Sequence, residues 1–262
     1  MPLVAAAACA HTPQLLVRPP TEDRDLVLRV HAAFARVKAL LAATRPDAIA
    51  VVAGDHIEGF FLNAVPALGV FVGAECAGKF GRYDYRFRVH EPLARAILED
   101  GIERGFDLLY SQEIPLDYAF FVPLHFTLPE PAPPIVPLFV NVYLPPQPTP
   151  RRCYQWGEAL ARFLAGRPER VALLASGGMS HFPGTDRYAS PDFEFDRQLL
   201  ERLKQGRGRE LTRLTGADLD TAGNIELRTW LVLLGAVGDA RADLFCYEPS
   251  WHHGNAVVAW SV

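Results

Sequence analysis

Three uncharged apolar runs, Leu3 to Ala10, Ala48 to Ala53 and Val171 to Ala175, each lead into a polar segment that carries a histidine. Short continuous apolar runs bounded by turn residues read as strands buried on both faces. Strands of that kind belong to parallel sheets covered by helices, and open α/β sheets place their chemistry in the loops at the strands' C-terminal ends. His11, in His11-Thr12-Pro13, His56, in Gly54-Asp55-His56, and His181, closing Ser176-Gly177-Gly178-Met179-Ser180-His181, are therefore expected along one edge of one sheet. With only eight histidines among 262 residues, chance does this poorly.

Between the strands the periodicity turns helical. Val27, Val30, Phe34, Val37 and Leu41 recur at spacings of three and four, one apolar face laid on a sheet, behind a cap offered by Thr21-Glu22-Asp23. His90-Glu91-Pro92 opens a second helix that reaches about Arg104, and Trp156, Leu160 and Phe163 mark a third. Phe193 to Leu214 reads as helical with a break at Gly206 and Gly208. Leu227 to Val237, apolar almost all round after Arg228, reads as a buried helix. Further strands are expected at Phe106 to Tyr110, Ile135 to Tyr143, Ala242 to Tyr247 and Asn255 to Val262, whereas Lys79 to Arg86 has no clear period and reads as a long loop. No internal repeat interrupts this order. The expectation is one α/β domain, residues 1–262, with a central mixed, largely parallel sheet flanked by helices and its site at the strand C-terminal ends.

A net charge of -4 and the lack of a dense Lys/Arg run argue against nucleic acid. Cys9, Cys76, Cys153 and Cys246 are scattered without paired spacing, which disfavours a disulfide framework or structural zinc and points to a reducing compartment. The first apolar run is too short for a signal or a membrane span, so a cytoplasmic protein without membrane attachment is expected.

His11 and His56 bring two imidazoles to neighbouring strand ends, and Glu226 brings a carboxylate to the mouth of the buried helix. Two histidines and one carboxylate on one face of a metal leave the opposite face open, as in non-haem Fe(II) enzymes that bind substrate and O2 together. An acid in a first helical turn also suits the helix dipole, which alone would leave it in solvent. Burial without a partner would cost several kcal/mol, so a metal is the more economical reading of Glu226.

Ala10-His11-Thr12-Pro13, Gly54-Asp55-His56, Asp117-Tyr118-Ala119-Phe120-Phe121-Val122-Pro123-Leu124, Gly177-Gly178-Met179-Ser180-His181 and Asn224-Ile225-Glu226 occur in an order and spacing that resemble one family. These are the class III extradiol ring-cleavage dioxygenases, in particular catalytic subunits similar to the protocatechuate 4,5-dioxygenase beta chain, and the resemblance covers essentially the whole chain. It implies Fe(II) held by His11, His56 and Glu226, with His181 as acid–base catalyst. It further implies that His125 is a second active-site histidine near the substrate hydroxyls or the bound oxygen, and that Asp55 and Asp117 fix imidazole orientation. The implied reaction inserts both atoms of O2 into a catechol-type ring (protocatechuate, gallate or methylgallate, or a substituted catechol), with 2-aminophenol cleavage as an alternative on the same site.

The implied partners are a small aromatic substrate and O2. A homo-oligomer is expected, with the small helical subunit of the protocatechuate enzymes absent, supplied in trans, or replaced by the chain's own loops. Arg18, Arg82 and Arg86 are candidate partners for a substrate carboxylate, and Phe60, Phe61, Phe120 and Phe121 are candidate walls for a ring-shaped pocket. His31, His90, His252 and His253 receive no role. Two other readings stay open: a metal-dependent hydrolase, since Gly54-Asp55-His56-Ile57-Glu58 is superficially similar to a dinuclear phosphoesterase block, and a non-catalytic adaptor of the same fold. The first lacks the further carboxylates that a second metal wants. The second sits poorly with His125 and His181 beside all three ligands.

Overall fold

The apolar runs form the middle of an eight-stranded sheet. The computed structural model of the chain describes residues 2–60, 62, 64–113 and 115–262. In chain order its elements are β1 (Leu3–Cys9), α1 (Gln14–Val17), α2 (Arg24–Thr44), β2 (Ala48–Ala53), β3 (Leu68–Phe71), β4 (Glu75–Phe80), β5 (Tyr83–Arg88), α3 (Glu91–Glu103), β6 (Leu108–Ser111) and α4 (Tyr118–Thr127). There follow β7 (Ile135–Val140), α5 (Pro150–Ala165), β8 (Val171–Ser176), α6 (Phe193–Lys204), a 3-10 helix (Gly208–Arg213), α7 (Gly216–Ala222), α8 (Leu227–Val237), β9 (Ala242–Pro249) and β10 (Gly254–Trp260).

The strand order is β6-β3-β7-β2-β8-β1-β10-β9. β7, β2, β8 and β1 are mutually parallel, and antiparallel β3 and β10 close that block on either side. Every residue of β2, β7 and β8 is buried because helices cover both faces, α2 and α4 on one and α3, α5 and α8 on the other. Burial on both faces is why these strands are continuously apolar rather than alternating. α2 begins where Asp23 accepts hydrogen bonds from the Asp25 and Leu26 amides at 2.8 and 3.0 Å. α3 is capped by His90, whose Nδ1 accepts from the Leu93 amide at 3.2 Å, so this histidine is structural.

Two local expectations change, and one segment without an assigned element proves helical. The segment read as a loop contains a two-stranded hairpin of β4 and β5, in which half-buried Tyr83, Tyr85 and Phe87 alternate with exposed Asp84, Arg86 and Arg88. Glycine and cysteine fill the inward positions of β4, which hides its period. The helix expected from Phe193 to Leu214 stops at Lys204, where Gly206 takes a φ of 71°, and resumes as the 3-10 turn. Asp117 to Thr127, too apolar to show a period, is α4 with its cap. All four cysteines are free thiols, and no helix among the described residues is long and apolar enough to cross a membrane.

Candidate active site

Four loops leave the C-terminal ends of the parallel strands, and each delivers a side chain to one point: His11 after β1, His56 after β2, Tyr143 after β7 and His181 after β8. Glu226 arrives from the opposite direction as the residue that starts α8. Its side chain makes no capping hydrogen bond and is 1% exposed, so it does not sit in solvent as a dipole-favouring acid would. Its Oε1 lies 3.2 Å from His11 Nε2, 3.5 Å from His56 Nε2 and 3.7 Å from His181 Nε2.

The hydrogen bonds behind these rings decide which nitrogens carry protons. The Ser176 hydroxyl donates to the Ala119 carbonyl at 2.5 Å, so at its 3.0 Å contact with His11 Nδ1 it accepts. His56 Nδ1 donates to Asp117 Oδ1 at 2.8 Å, while the His56 backbone amide donates to the other oxygen of Asp117 at 2.9 Å. Both rings therefore turn Nε2 toward Glu226. A neutral His11 presents a lone pair to a carboxylate lone pair, an arrangement that is repulsive unless a proton or a metal cation lies between them. Ligand atoms about 2.1 Å from a shared divalent ion and at right angles stand about 3 Å apart, close to the spacing found here. His11, His56 and Glu226 are the group of described residues placed to hold such an ion, with ligand atoms all within 4.8 Å of one another. The chemistry of the donor set fits a metal.

The carboxylate is pinned as firmly as the rings. Tyr143 donates its hydroxyl to Oε1 at 2.5 Å, and the Gly178 amide donates to Oε2. The two glycines of the β8 loop make this approach feasible. A Cβ on Gly178 would strike the His253 ring, and one on Gly177 would stand 2.8 Å from the Thr229 hydroxyl and 3.0 Å from the Glu226 carbonyl.

Electrostatics follow the geometry. Burial opposes ionisation of Glu226, yet positive charge on the His11 and His181 rings, when they are protonated, and hydrogen bonds from His11 and His56 hold its carboxyl well below the usual range. Burial likewise opposes charge on His56, but hydrogen bonds to Asp117 and Glu226 outweigh it and raise the imidazole to about 10. In the metal-free protein a proton thus occupies the nitrogen a metal would take. The contribution of this raised value to metal-free stability is full below about pH 6.5 and is lost as pH rises through about 10. Metal affinity runs the other way: it is expected to rise about tenfold per pH unit between 7 and 9, with about one proton released per ion. Calorimetric titrations in buffers of different ionisation enthalpy measure that proton, and a pH-independent affinity contradicts the assignment.

Asp117 also caps α4, accepting from the Ala119 amide at 2.7 Å, so one carboxylate ties the helix to the His56 loop. Asp117→Asn is expected to weaken divalent-metal affinity by about 10- to 100-fold while the fold persists. An unchanged affinity in metal titration would reduce Asp117 to a helix cap.

His181 donates Nδ1–H to the Met179 carbonyl at 2.9 Å, which leaves Nε2 as an acceptor facing the same space. Burial, against the pull of Glu226, shifts it below its ordinary value, so the ring enters neutral at pH 7. The loop that carries it is tied down by Asp196, which accepts from the Ser180 amide, Asn224 Nδ2 and the Tyr247 hydroxyl at 2.8 to 3.0 Å.

A pocket of about 180 Å³ opens at this point, lined by His11, His56, His181, Tyr118, Tyr143 and Tyr188 among others. That volume lies below the range typical of drug-sized ligands and suits one ring with small substituents. Tyr118 stacks on His56 with centroids 4.2 Å apart. His253, buried and pushed well below its usual value by that burial and by His181, lies against the His181 ring at 4.3 Å.

Several expected residues lie elsewhere. His125 does not join the site: it is exposed on α4 and takes a 2.9 Å hydrogen bond from Tyr85 to its Nδ1. Seven residues beyond Tyr118, at about 1.5 Å of rise each, it stands roughly 10 Å along the helix from the pocket. Asp55 does not orient an imidazole; it accepts from the Gly59 and Phe60 amides at 2.8 and 3.3 Å, closing the turn in which Ile57 takes a φ of 65°. Phe60 and Phe120 line a separate apolar cavity beside Phe139, Phe121 stacks on Tyr85, and Phe61 lies outside the described residues. Tyrosines line the site instead. Arg18, Arg82 and Arg86 do not line it, and Arg86 pairs with Glu75 at 3.0 Å. Tyr118, Tyr143, Ser176 and His253 receive no role in the site from the sequence, although Tyr143 and Ser176 do sit at ends of apolar strands.

Residues 5–258 match the model of a family described as the catalytic LigB subunit of aromatic ring-opening dioxygenase. Among curated relatives, a 2,3-dihydroxyphenylpropionate/2,3-dihydroxicinnamic acid 1,2-dioxygenase 2 of Pseudomonas putida is 34% identical over 205 residues, covering 77% of this chain and 62% of the relative. A 2,3-dihydroxyphenylpropionate/2,3-dihydroxicinnamic acid 1,2-dioxygenase of Klebsiella pneumoniae strain 342 is 32% identical over 197 residues, covering 75% of this chain and 62% of the relative. The chain thus spans about 62% of the length of the curated relatives it matches. The crystal structure of an uncharacterized protein from Escherichia coli K12 superimposes with a TM-score of 0.63 at 17% identity, covering 98% of this chain and 99% of that one, which is a likeness of fold.

Proposed function

The chain belongs to the family of catalytic LigB subunits of aromatic ring-opening dioxygenases, and from that membership we propose that it is an extradiol ring-cleaving dioxygenase acting at one Fe(II) held by His11, His56 and Glu226. The observation that carries the reading is the convergence of two oriented imidazoles and a buried carboxylate beside a third histidine with a free Nε2. Three protein ligands on one side leave room on the other for an organic substrate and O2 together. When bound, the metal supplies the site where a catechol and O2 meet and exchange electrons.

The chain's own side chains supply the rest. His181 Nε2 takes the proton that a catechol hydroxyl must lose on binding and returns it to the cleaved product; its neutral state at pH 7 and its fixed Nδ1–H make it ready to accept. Tyr143 and the Gly178 amide keep Glu226 in one rotamer, and Ser176 and Asp117 do the same for the two imidazoles. Tyr118, Tyr188, His252 and His253 line the pocket around the metal-binding cluster. Assembly into a homo-oligomer belongs to the same proposal, as does residence in the reducing cytoplasm, which four free thiols suit.

The names of the relatives favour a catechol with a carboxylated side chain at C3 over protocatechuate or gallate. An anaerobically prepared, Fe(II)-loaded protein is expected to consume O2 and form a yellow ring-fission product with such a catechol, and His125→Ala to do so at the wild-type rate within about twofold. No O2 uptake with catechols or 2-aminophenols would overturn the reading in favour of a hydrolase or adaptor.

A further inference from the structure

Resting on the ring-cleavage reading, we propose that His252, held from behind by Glu22, is the subsite for a carboxylate carried on the substrate's side chain. His252 lines the same pocket as the metal-binding cluster. Its Nε2 lies 3.0 Å from Glu22 Oε1, and both side chains are almost wholly withdrawn from solvent, at 4% and 6% exposure. The contact joins the segment ahead of α2 to the β9–β10 loop, so two distant parts of the chain meet to set one ring. Tyr188 stacks on that ring, with centroids 5.1 Å apart at 16°, and Trp251 packs edge-on at 4.4 Å. A histidine fixed on three sides and turned to a pocket is built for recognition rather than for filling a surface turn.

The remaining freedom of the ring points to its ligand. With Nε2 on Glu22, Nδ1 has no hydrogen-bond partner among the described residues, and the residue lines the pocket. The pocket lining contains neither lysine nor arginine. His11, His56 and His181 direct Nε2 to Glu226, and His253 donates Nδ1–H to the Gly254 carbonyl at 2.7 Å. His252 Nδ1 is thus the ring nitrogen left for an anionic substituent. A carboxylate bound at Nδ1 would set the ring between two carboxylates, that of Glu22 and that of the ligand, and with both ring nitrogens protonated it donates one charge-assisted hydrogen bond to each.

A second polar group faces the same space. Gln14, at the start of α1, lines the pocket, and its Oε1 is buried with no partner among the described residues. A side-chain amide can turn its NH2 outward, so Gln14 adds a donor to the carboxylate beside His252.

Binding and turnover test this separately. Fe(II)-loaded protein kept free of oxygen is titrated by calorimetry with 3-(2-carboxyethyl)catechol, its isosteric carboxamide and 3-methylcatechol, in wild type, His252→Gln and Glu22→Gln. Wild type is expected to prefer the carboxylate over the carboxamide by about 10- to 100-fold, His252→Gln to bind the two alike, and Glu22→Gln to keep a reduced preference. All three proteins should bind 3-methylcatechol equally, which shows that the metal end of the pocket is intact. A preference that survives in His252→Gln, or wild type that does not favour the carboxylate, overturns the subsite. Admitting O2 then separates the two claims. Discrimination without oxygen uptake would leave the subsite standing and sink ring cleavage, and uptake without discrimination would do the reverse.

Discussion

Glu226→Ala is expected to lose stoichiometric metal and, with it, all oxygen consumption. The carboxylate provides the one anionic ligand and is the point on which three histidine nitrogens converge within 3.7 Å. Its removal strands the Tyr143 hydroxyl and the Gly178 amide without acceptors and leaves His56 with only Asp117 to balance its charge. Deleting one member of a buried charged cluster typically costs about 3–5 kcal/mol, so the metal-free variant should melt roughly 10 °C lower. Glu226→Gln separates ligation from folding. The amide oxygen still accepts from Tyr143 while its NH2 faces the Gly178 amide, so this variant should recover part of the lost stability and yet bind metal poorly. Metal analysis and calorimetry read both quantities, and a Glu226→Gln protein that retains one tightly held ion would remove Glu226 from the ligand set.

For His181→Gln the expected pattern is the opposite: full metal content with turnover lowered by about 10²- to 10⁴-fold, the usual effect of removing a positioned general base. His181 Nε2 stands 3.7 Å from Glu226 but carries the ring's free lone pair, because Nδ1–H is fixed on the Met179 carbonyl. The pH profile gives a second readout. Burial shifts the ring below its ordinary value, so wild-type kcat/KM should hold steady as pH falls past 6.5 and decline only as the ring takes up a proton below that. The acid limb should vanish from the residual activity of the variant. A variant that loses metal as well as turnover would make His181 a ligand or a prop instead of a base.

Much of the site was legible because its scaffold is regular. Runs such as Ala48 to Ala53 are apolar throughout only when both faces are covered, and that requirement alone places His11, His56 and His181 on the C-terminal edge of a parallel block. Glu226 could be read in the same way, since the helix it opens carries no polar face that would hold it in solvent. His125 was misplaced because order along the chain carries no information about rise along a helix, and the two turns of α4 between Tyr118 and His125 take the latter out of reach. Asp55 and Asp117 flank the site in sequence alike, yet only the carboxylate at the N-terminus of α4 meets the His56 ring.

The sequence by itself determined the parallel core of the sheet, the edge on which the histidines gather and the identity of three groups able to hold a metal, because these follow from local periodicity and from the cost of burying charge. Only the tertiary structure decided which nitrogen of each ring is free, that tyrosines and not phenylalanines wall the pocket, and that Glu22 and His252, 230 residues apart, meet at its mouth. Those features rest on contacts between segments far apart in the chain, and hydrogen-bond partners at that separation leave no periodic trace in either segment.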